Sequence, residues 1–183
     1  MSRRDGVRLT QGSRTFLVET DRFGLREMRR EDLDFIAGML ADPEVMRFYP
    51  KPLSRDESAA WIDRQLERYR TDGHGLWLVV DKGSGAPVGQ VGLVNQLVDG
   101  VHEPEIGYLI HRPYWRQGYA SEAALGVRSY AWSMPGRNRV ISLIRPNNLP
   151  SQGVARKLGM RIEKETLFRG LPHLVFSVEK DRA

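Results

Sequence analysis

The sequence predicts a single domain of the α/β class. Short apolar segments rich in β-forming residues alternate with segments whose apolar residues recur every three or four positions, the spacing of one helical face. No repeat, low-complexity tract or linker interrupts this alternation over residues 13–183, whereas residues 1–12 lack such a pattern. We therefore expect a flexible N-terminal arm over residues 1–12 and one folded domain over residues 13–183.

The first half of the chain predicts strands on either side of two helices. Residues 15–27 are spaced like one or two strands. Residues 31–40 carry an apolar face and place acidic residues in the first turn, where the helix dipole favours them. Ser54-Arg-Asp-Glu57 is a capping box, which opens a second helix that is expected to run to Tyr69.

The second half continues the alternation. Apolar runs bounded by turn residues predict strands, and a serine that precedes a helical pattern is a candidate N-cap. The predicted elements are strands over 76–81, 88–96, 105–110 and 140–145, a helix over 120–131, a short helix that Ser151 can cap and that ends at Leu158, and a hairpin of 160–168 with 174–180.

The stretch 105–131 is predicted to bind a phosphate group. Its strand ends at Ile110, Gly118 marks a sharp turn, and apolar residues from Ala120 onward follow one helical face. The backbone N–H groups of residues 116–121 then lie at a helix N-terminus without intrahelical partners, flanked by two cations. Such an N-terminus binds phosphate groups.

Composition excludes several classes of protein. The 183 residues contain no cysteine, which excludes disulfides, thiolate chemistry and cysteine-ligated zinc. No run approaches 18 apolar residues and no secretory signal is apparent, so we expect no membrane span and a cytoplasmic location. The net charge is +5, and the cations concentrate over residues 105–161. This asymmetry indicates a nucleic acid or a phosphate-rich cofactor as partner, unless the arginines are simply solvated.

Most catalytic signatures are missing. The glycines of residues 83–92 lack the third glycine and the following helix of a dinucleotide fingerprint, and neither a P-loop nor a nucleophile elbow is present. The four histidines show no metal-ligand spacing, so no metal site is expected. Nucleic acid is disfavoured as a partner, because the arginines are not interleaved with aromatic residues in a stacking pattern.

A series of short motifs is spread from residue 21 to residue 180. They are Arg26, Asp32, Asp42-Pro-Glu-Val-Met46, Glu105-Ile-Gly-Tyr108, Tyr114-Trp115, Gly118-Tyr-Ala120, Glu122-Ala123, Asn148 with Ser151, and Lys157-Leu-Gly-Met160. In order and spacing they resemble the GNAT-superfamily N-acetyltransferases, in the RimJ/RimL-like branch that acetylates the N-termini of ribosomal proteins. Trp115 departs from the first position of the family's pyrophosphate loop, and Arg116 stands where glycine is common.

The resemblance implies a GNAT domain, with a mixed, mostly antiparallel sheet of about seven strands, helices on both faces, and a fourth and fifth strand that splay apart. It implies acetyl-coenzyme A as cosubstrate, with direct transfer of the acetyl group to an amine and no metal. A backbone N–H near Leu109 or Ile110 is then expected to stabilise the thioester oxygen. The cofactor-binding residues implied are Tyr108, Leu109, Ile110, Arg116, Gln117, Gly118, Tyr119, Ala120, Ser121 and Asn148.

Two catalytic roles follow from the resemblance. Glu105 is the candidate base, because a half-buried carboxylate has a raised pKa; an arginine-paired structural carboxylate is the alternative, and Glu103 is the reserve. Many relatives place a tyrosine acid where this chain has Ala155, so Ser151 or a water is expected to protonate the leaving thiolate. Ser151 is equally a candidate to cap its helix.

The acceptor stays open between a protein N-terminus, an aminoglycoside, a polyamine and a small metabolite. Several side chains either line the acceptor cleft or belong to the core: Phe48, Tyr49, Trp61, Tyr69, Phe168 and His173. The family implies that a homodimer can form. The alternative to an enzyme is an inactive acyl-coenzyme A sensor or interaction module with the same fold, for which Trp115 and Ala155 are the motivation.

Overall fold

Eight strands, within the part of the chain that the structure describes, form one sheet at the centre of the molecule. The structure is a computed structural model and describes residues 16–181, so the predicted arm over residues 1–12 lies outside the described residues. The strands are β1 (Val18–Glu19), β2 (Phe23–Arg26), β3 (Leu76–Asp81), β4 (Pro87–Val98), β5 (Val101–Ile110), β6 (Arg139–Ile144), β7 (Arg161–Phe168) and β8 (Leu171–Glu179). Their order is β1-β2-β3-β4-β5-β6-β8-β7, and only β5 and β6 are parallel neighbours. The predicted mixed, mostly antiparallel sheet is confirmed.

Helices cover both faces of this sheet, as predicted. They are α1 (Leu33–Ala41), α2 (Arg55–Asp72), α3 (Tyr119–Ser133) and α4 (Leu149–Lys157). Strand alternation sorts the core into two layers: Trp77 and Val79 of β3 pack with α3 and α4, whereas Leu76 and Leu78 pack with α1 and α2. No helix of residues 16–181 is long and apolar enough to cross a membrane.

The start of α2 follows directly from local sequence. The Glu57 backbone N–H donates to the Ser54 hydroxyl oxygen at 3.2 Å, and the Ser54 N–H donates to the Glu57 carboxylate at 2.8 Å. The predicted capping box is therefore confirmed. The helix ends at Asp72, three residues beyond the predicted end at Tyr69, and is capped by Gly73, whose φ of 73° is left-handed.

Strands β4 and β5 extend beyond the predicted segments. They pair continuously as far as Val98 and Val101, and Asp99 and Gly100 form the turn between them with φ of 49° and 82°. Two positive φ values define a type I′ hairpin turn, for which Asp-Gly is a preferred sequence. The polar residues near the turn hid the strand pattern, although the Asp-Gly pair itself signals the hairpin.

The sheet opens between β5 and β6, as the resemblance implied. Only Glu105 and Ile141 pair across these two strands. The Ser142 hydroxyl donates to the Ile106 carbonyl at 2.8 Å, and beyond this contact the strands diverge towards α3 and α4. The splay leaves an opening in the middle of the sheet, lined by backbone.

Candidate active site

A cleft of about 1190 Å³ occupies the opening between β5 and β6. It extends from the N-terminus of α3 to the segment before α2 and the β7–β8 turn. The predicted site residues that line it are Glu105, Tyr108, Leu109, Ile110, Arg116, Gly118, Tyr119, Ala120, Ser121, Asn148 and Ser151. Gln117 faces away, since its side chain donates to the Pro113 carbonyl at 3.2 Å.

The N-terminus of α3 has the geometry of an anion site. Arg116 and Gly118 both adopt left-handed conformations, with φ of 61° and 75°. The first helical bond is from the Glu122 N–H to the Gly118 carbonyl at 3.0 Å, so the N–H groups of residues 119–121 have no intrahelical acceptor. No side chain of residues 16–181 caps this end. A phosphate group fits these uncapped N–H groups, with the Arg116 guanidinium beside them.

Neighbouring side chains hold this loop in place. The Arg22 guanidinium donates to the Gln117 carbonyl at 2.9 Å and to the Glu122 carboxylate at 2.5 Å. Burial raises the pKa of Glu122, but hydrogen bonds from the Arg22 backbone, Thr20 and the Arg22 side chain together lower it below its usual range. The Trp115 indole donates to the Ile110 carbonyl at 2.7 Å. Trp115, the departure from the family motif, therefore ties the loop to the end of β5.

Backbone groups of β5 face the gap. The carbonyls of Ile106 and Ile110 bond to Ser142 and Trp115, on the side away from β4. Because the direction of strand hydrogen bonds alternates with period two, the N–H and C=O of Tyr108 point the same way, and β6 does not pair there. Amide groups of a ligand can pair with them, as an added strand would. By the same alternation the Leu109 N–H points towards β4, whereas the Ile110 N–H faces the gap. Of the two N–H groups expected to stabilise the thioester oxygen, this orientation favours that of Ile110.

Glu105 lies half-buried on the floor of the cleft. The Gln96 side-chain amide donates to one carboxylate oxygen at 2.7 Å and the Leu143 N–H donates to the other at 3.3 Å. Burial raises the pKa of Glu105, although these hydrogen bonds and the charges of Arg68 and Arg169 oppose the rise. The raised pKa agrees with the expectation for a base that works near neutrality.

The ion-paired carboxylate on β5 is Glu103 rather than Glu105. Arg139 lies 3.1 Å from Glu103 and 2.7 Å from Glu163, and this cluster lies outside the cleft. No arginine of residues 16–181 lies within ion-pair distance of Glu105. Glu103 is therefore a structural carboxylate and a poor reserve base.

The start of α4 places Ser151 differently from the capping prediction. Asn148 is the N-cap, because its side-chain oxygen accepts from the Ser151 N–H at 3.2 Å. The prediction that Ser151 caps this helix is wrong, since a polar residue three positions earlier already accepts the N–H. Within residues 16–181 the Ser151 hydroxyl has no hydrogen-bond partner, and it lines the cleft as a neutral donor. Ala155 is fully buried and carries no acid.

Tyr108 bridges the gap in a way that sequence patterns did not indicate. Its hydroxyl donates to the Ser151 carbonyl at 2.7 Å, which connects β5 to α4. Burial raises the pKa of Tyr108, and the charge of Glu105 adds to the rise. The tyrosine therefore stays protonated and positions Ser151 along the cleft.

The far end of the cleft is aromatic and cationic. Of the six side chains with an open role, five line it, namely Phe48, Tyr49, Trp61, Phe168 and His173. Tyr69 belongs to the core, where its hydroxyl bonds to the Leu76 carbonyl. Sequence reasoning missed Gln96, Arg64, Arg68 and Arg169, which also line the cleft. No local pattern indicates them, because they come from three separate elements.

Metal-ligating residues do not cluster in the part of the chain that the structure describes. Among residues 16–181, no group of three or more His, Cys, Asp or Glu side chains is arranged to hold a metal ion.

Comparison with known proteins gives one consistent family. A family model described as "Acetyltransferase (GNAT) domain" matches residues 22–161. The Bacillus subtilis protein YkkB, uncharacterised, is 35% identical over 153 residues, which is 83% of this chain and 88% of that protein.

Solved structures share the fold at lower identity. The crystal structure of an acetyltransferase from Agrobacterium tumefaciens superposes with a TM-score of 0.77 at 23% identity, covering 88% of this chain and 92% of that one. RimL, a ribosomal L7/L12 alpha-N-protein acetyltransferase solved in complex with coenzyme A, superposes with a TM-score of 0.73 at 13% identity, covering 88% and 96%.

Proposed function

The chain belongs to the GNAT acetyltransferase family, and from this premise we propose that it transfers an acetyl group from acetyl-coenzyme A directly to a primary amine. One observation carries the proposal. The uncapped α3 N-terminus, the unpaired backbone of β5 and the half-buried Glu105 carboxylate all face the same cleft. These are the three parts that such a transfer needs: a phosphate site, a site for an extended amide chain, and a base.

The cofactor site is assigned as follows. The N–H groups of residues 119–121 and the Arg116 guanidinium would hold the pyrophosphate. Backbone groups of Tyr108 and Ile110 would pair with the pantetheine amides, and the side-chain NH₂ of Asn148 remains available to the cofactor. When bound, acetyl-coenzyme A supplies the acetyl group as an activated thioester.

Glu105 is assigned as the base. An α-amino group has a pKa of about 8 and a lysine side chain of about 10.4, so the acceptor must lose a proton before it can attack. The Glu105 carboxylate accepts this proton, directly or through a water molecule. Holding amine and thioester together makes the attack effectively unimolecular.

Two neutral donors complete the mechanism. The Ile110 N–H stabilises the negative charge that develops on the thioester oxygen. The Ser151 hydroxyl hydrogen-bonds to the sulfur as the carbon–sulfur bond breaks. Ala155 leaves no side-chain acid at the position that many relatives use, so the hydroxyl of Ser151 takes this role.

A peptide N-terminus is the first acceptor to test, because the motifs resemble the RimJ/RimL-like branch. Small-molecule amines are the second. The cytoplasmic location, the homodimer and the domain limits of 13–183 stay predictions.

Two measurements test the proposal. Coenzyme A at about 100 times its dissociation constant should stabilise the protein by about 2.7 kcal/mol, which raises the melting temperature. A thiol-release assay with acetyl-coenzyme A and a panel of peptides and small amines should show turnover. No melting shift would contradict the cofactor assignment, and a shift without turnover on any amine would favour the inactive sensor.

A matched pair of variants isolates the phosphate loop. Gly118 and Gly136 have nearly the same left-handed φ, 75° and 74°, but Gly136 lies in a turn outside the cleft. Gly118→Ala and Gly136→Ala should each cost about 1 kcal/mol of stability. Only Gly118→Ala should weaken coenzyme A binding, because only there does the backbone shift move the N–H groups. Equal binding by both variants would contradict the loop assignment.

A further inference from the structure

The wall of the cleft carries an excess of positive charge. Among the described residues that line it, the carboxylates are Glu44 and Glu105, and the cations are Arg47, Lys51, Arg64, Arg68, Arg116, Arg145, Lys157 and Arg169. Arg47 and Lys51 pair with Glu44 and Glu57. The other six have no carboxylate within 4 Å among residues 16–181. Arg116 lies at the phosphate end, so the cations at the opposite end need a separate explanation.

Arg68 and Arg169 line the same cleft as the candidate base. Arg68 projects from α2 and Arg169 from the β7–β8 turn, and both are close enough to Glu105 to oppose the rise in its pKa. Burial lowers the pKa of Arg68, and the charge of Arg169 lowers it further. Two guanidinium groups, one from α2 and one from the β7–β8 turn, thus line the cleft that holds the carboxylate proposed to take the acceptor's proton.

The proposed phosphate site at the α3 N-terminus lies too far away to account for these two arginines. Ile110 lies five positions after Glu105 along the extended strand, about 17 Å away, and the α3 N-terminus lies beyond Ile110. Among residues 16–181, the Arg68 guanidinium donates one hydrogen bond, to the Gln65 side-chain oxygen at 3.1 Å, so most of its N–H groups remain available to a ligand from that part of the chain.

Arg169 is held in this place at a conformational cost. Arg169 and Gly170 form the two-residue hairpin turn with φ of 52° and 76°, a type I′ turn that favours asparagine, aspartate or glycine at its first position. Its guanidinium lies 5.1 Å from the centre of the Phe168 ring. An arginine at a left-handed position that faces a cleft indicates a binding role.

We propose that the acceptor amine carries a carboxylate, which Arg68 and Arg169 bind beside Glu105. This proposal rests on the acetyltransferase function proposed above. A guanidinium binds a carboxylate through paired hydrogen bonds, and a carboxylate between two guanidinium groups removes their mutual repulsion. Polyamines and aminoglycosides carry several positive charges, so this end of the cleft repels them.

The bound carboxylate also affects the base. It offsets the two positive charges that lower the pKa of Glu105, so the Glu105 pKa rises and the base becomes stronger when the acceptor is in place. The acceptor's carboxylate takes no part in the transfer itself. The ammonium first gives one proton to Glu105, and the neutral amine nitrogen then bonds to the acetyl carbon. As the carbon–sulfur bond breaks, the second N–H proton passes to the sulfur beside Ser151, so that coenzyme A leaves as the thiol.

The test compares acceptors that differ only in this charge. One pair is 4-aminobutyrate and 4-aminobutanamide, and the other is a pair of short amidated peptides with aspartate or asparagine at the second position. The ratio of kcat/KM within each pair should favour the carboxylate about 10- to 100-fold. A preference in the first pair identifies a small-molecule acceptor, and one in the second pair identifies an acidic peptide N-terminus. Spermidine serves as the polycation and should be the poorest acceptor.

Variants assign the preference to the two arginines. Arg68→Gln removes one charge, and Arg169→Asn removes the other with a residue that tolerates the left-handed turn. Each should reduce the carboxylate preference about 10-fold or more, whereas Arg161→Gln, an exposed arginine of β7 outside the cleft, should keep the wild-type ratio. Calorimetric binding of each acceptor in the presence of coenzyme A gives the same comparison without turnover.

The outcomes separate this proposal from the one before it. No coenzyme A binding would contradict the acetyltransferase proposal. Equal use of charged and neutral acceptors, a preference unchanged in both arginine variants, or loss of coenzyme A affinity in Arg68→Gln would each overturn the carboxylate proposal.

Discussion

Replacing Glu105 with glutamine tests the proposed base most directly. Glutamine keeps the size of the side chain but cannot accept the acceptor's proton. Removal of a general base costs about 100- to 10,000-fold in rate, which is about 3 to 5 kcal/mol of activation free energy. We therefore expect Glu105→Gln to reduce kcat by this factor while coenzyme A binding is retained.

Stability should change much less, because two effects oppose each other. The folded-state pKa of Glu105 is raised, so its contribution to stability is present below its unfolded pKa and is lost as pH rises through the folded pKa. Glutamine is uncharged and avoids this loss at neutral pH. It also offers one acceptor oxygen in place of two, so the Gln96 amide or the Leu143 N–H loses its partner, at about 1 to 3 kcal/mol.

The assay follows thiol release as a function of pH. In the wild-type protein, kcat/KM should rise with pH through the raised pKa of Glu105, because the base acts unprotonated, and the Glu105→Gln variant should lack this rise. Glu103→Gln is the matched control, since Glu103 lies on the same face of β5 but pairs with Arg139. Unchanged turnover and an unchanged pH profile in Glu105→Gln would refute the assignment.

Three further predictions concern the loop before α3, the start of α4 and the ion pair between Arg26 and Asp32. Arg116→Gly should change the free energy of unfolding by less than about 1 kcal/mol, because relief of the left-handed strain is offset by the unfolded-state entropy of glycine. The same variant should weaken coenzyme A binding about 10-fold, as measured by calorimetry, and an unchanged affinity would remove Arg116 from the site. Asn148→Ala should lower the free energy of unfolding, measured in urea, by about 1 kcal/mol, because it removes the N-cap of α4. Ser151→Ala should leave stability unchanged and lower kcat. A loss of stability in Ser151→Ala but not in Asn148→Ala would restore Ser151 as the cap. Burial raises the pKa of Asp32, but the Arg26 guanidinium and its two hydrogen bonds help to lower it below its usual range. Asp32→Asn should therefore cost about 2 kcal/mol of stability at pH 7, and this difference from the wild type should vanish as pH falls through the folded-state pKa of Asp32. A stability difference that is independent of pH would contradict this.

Local signals in the sequence were sufficient to predict those contacts whose partners lie close together along the chain. The Ser54 capping box and the left-handed Gly118 both depend on contacts within a few residues, and the structure has them where the pattern indicates. The Asp99-Gly100 hairpin belongs to the same class, although the polar residues around it concealed the strands. The cap of α4 was misassigned because Asn148 and Ser151 are both suitable residues, and only the geometry distinguishes them.

No sequence pattern predicts the contacts between residues that lie far apart along the chain. Arg22 and Glu122 are 100 residues apart, yet together they hold the loop before α3. Gln96 reaches Glu105 because β4 pairs with β5, and Leu143 reaches it because β6 diverges beyond a single pairing. The orientation of a strand's amides, which favours Ile110 over Leu109 as a donor, likewise depends on which neighbour the strand pairs with.

The sequence by itself determined the α/β class, the helix N-terminus that can bind phosphate and the family to which the chain belongs, because these depend on periodicity and on short motifs. Only the tertiary structure decided that, among residues 16–181, Glu103 is ion-paired while Glu105 is not, and that Arg68 and Arg169 line the cleft that holds Glu105. The physical reason is that burial and charge at one side chain are set by neighbours distant in sequence. The chemistry of the acceptor end of the cleft was therefore decided by the fold.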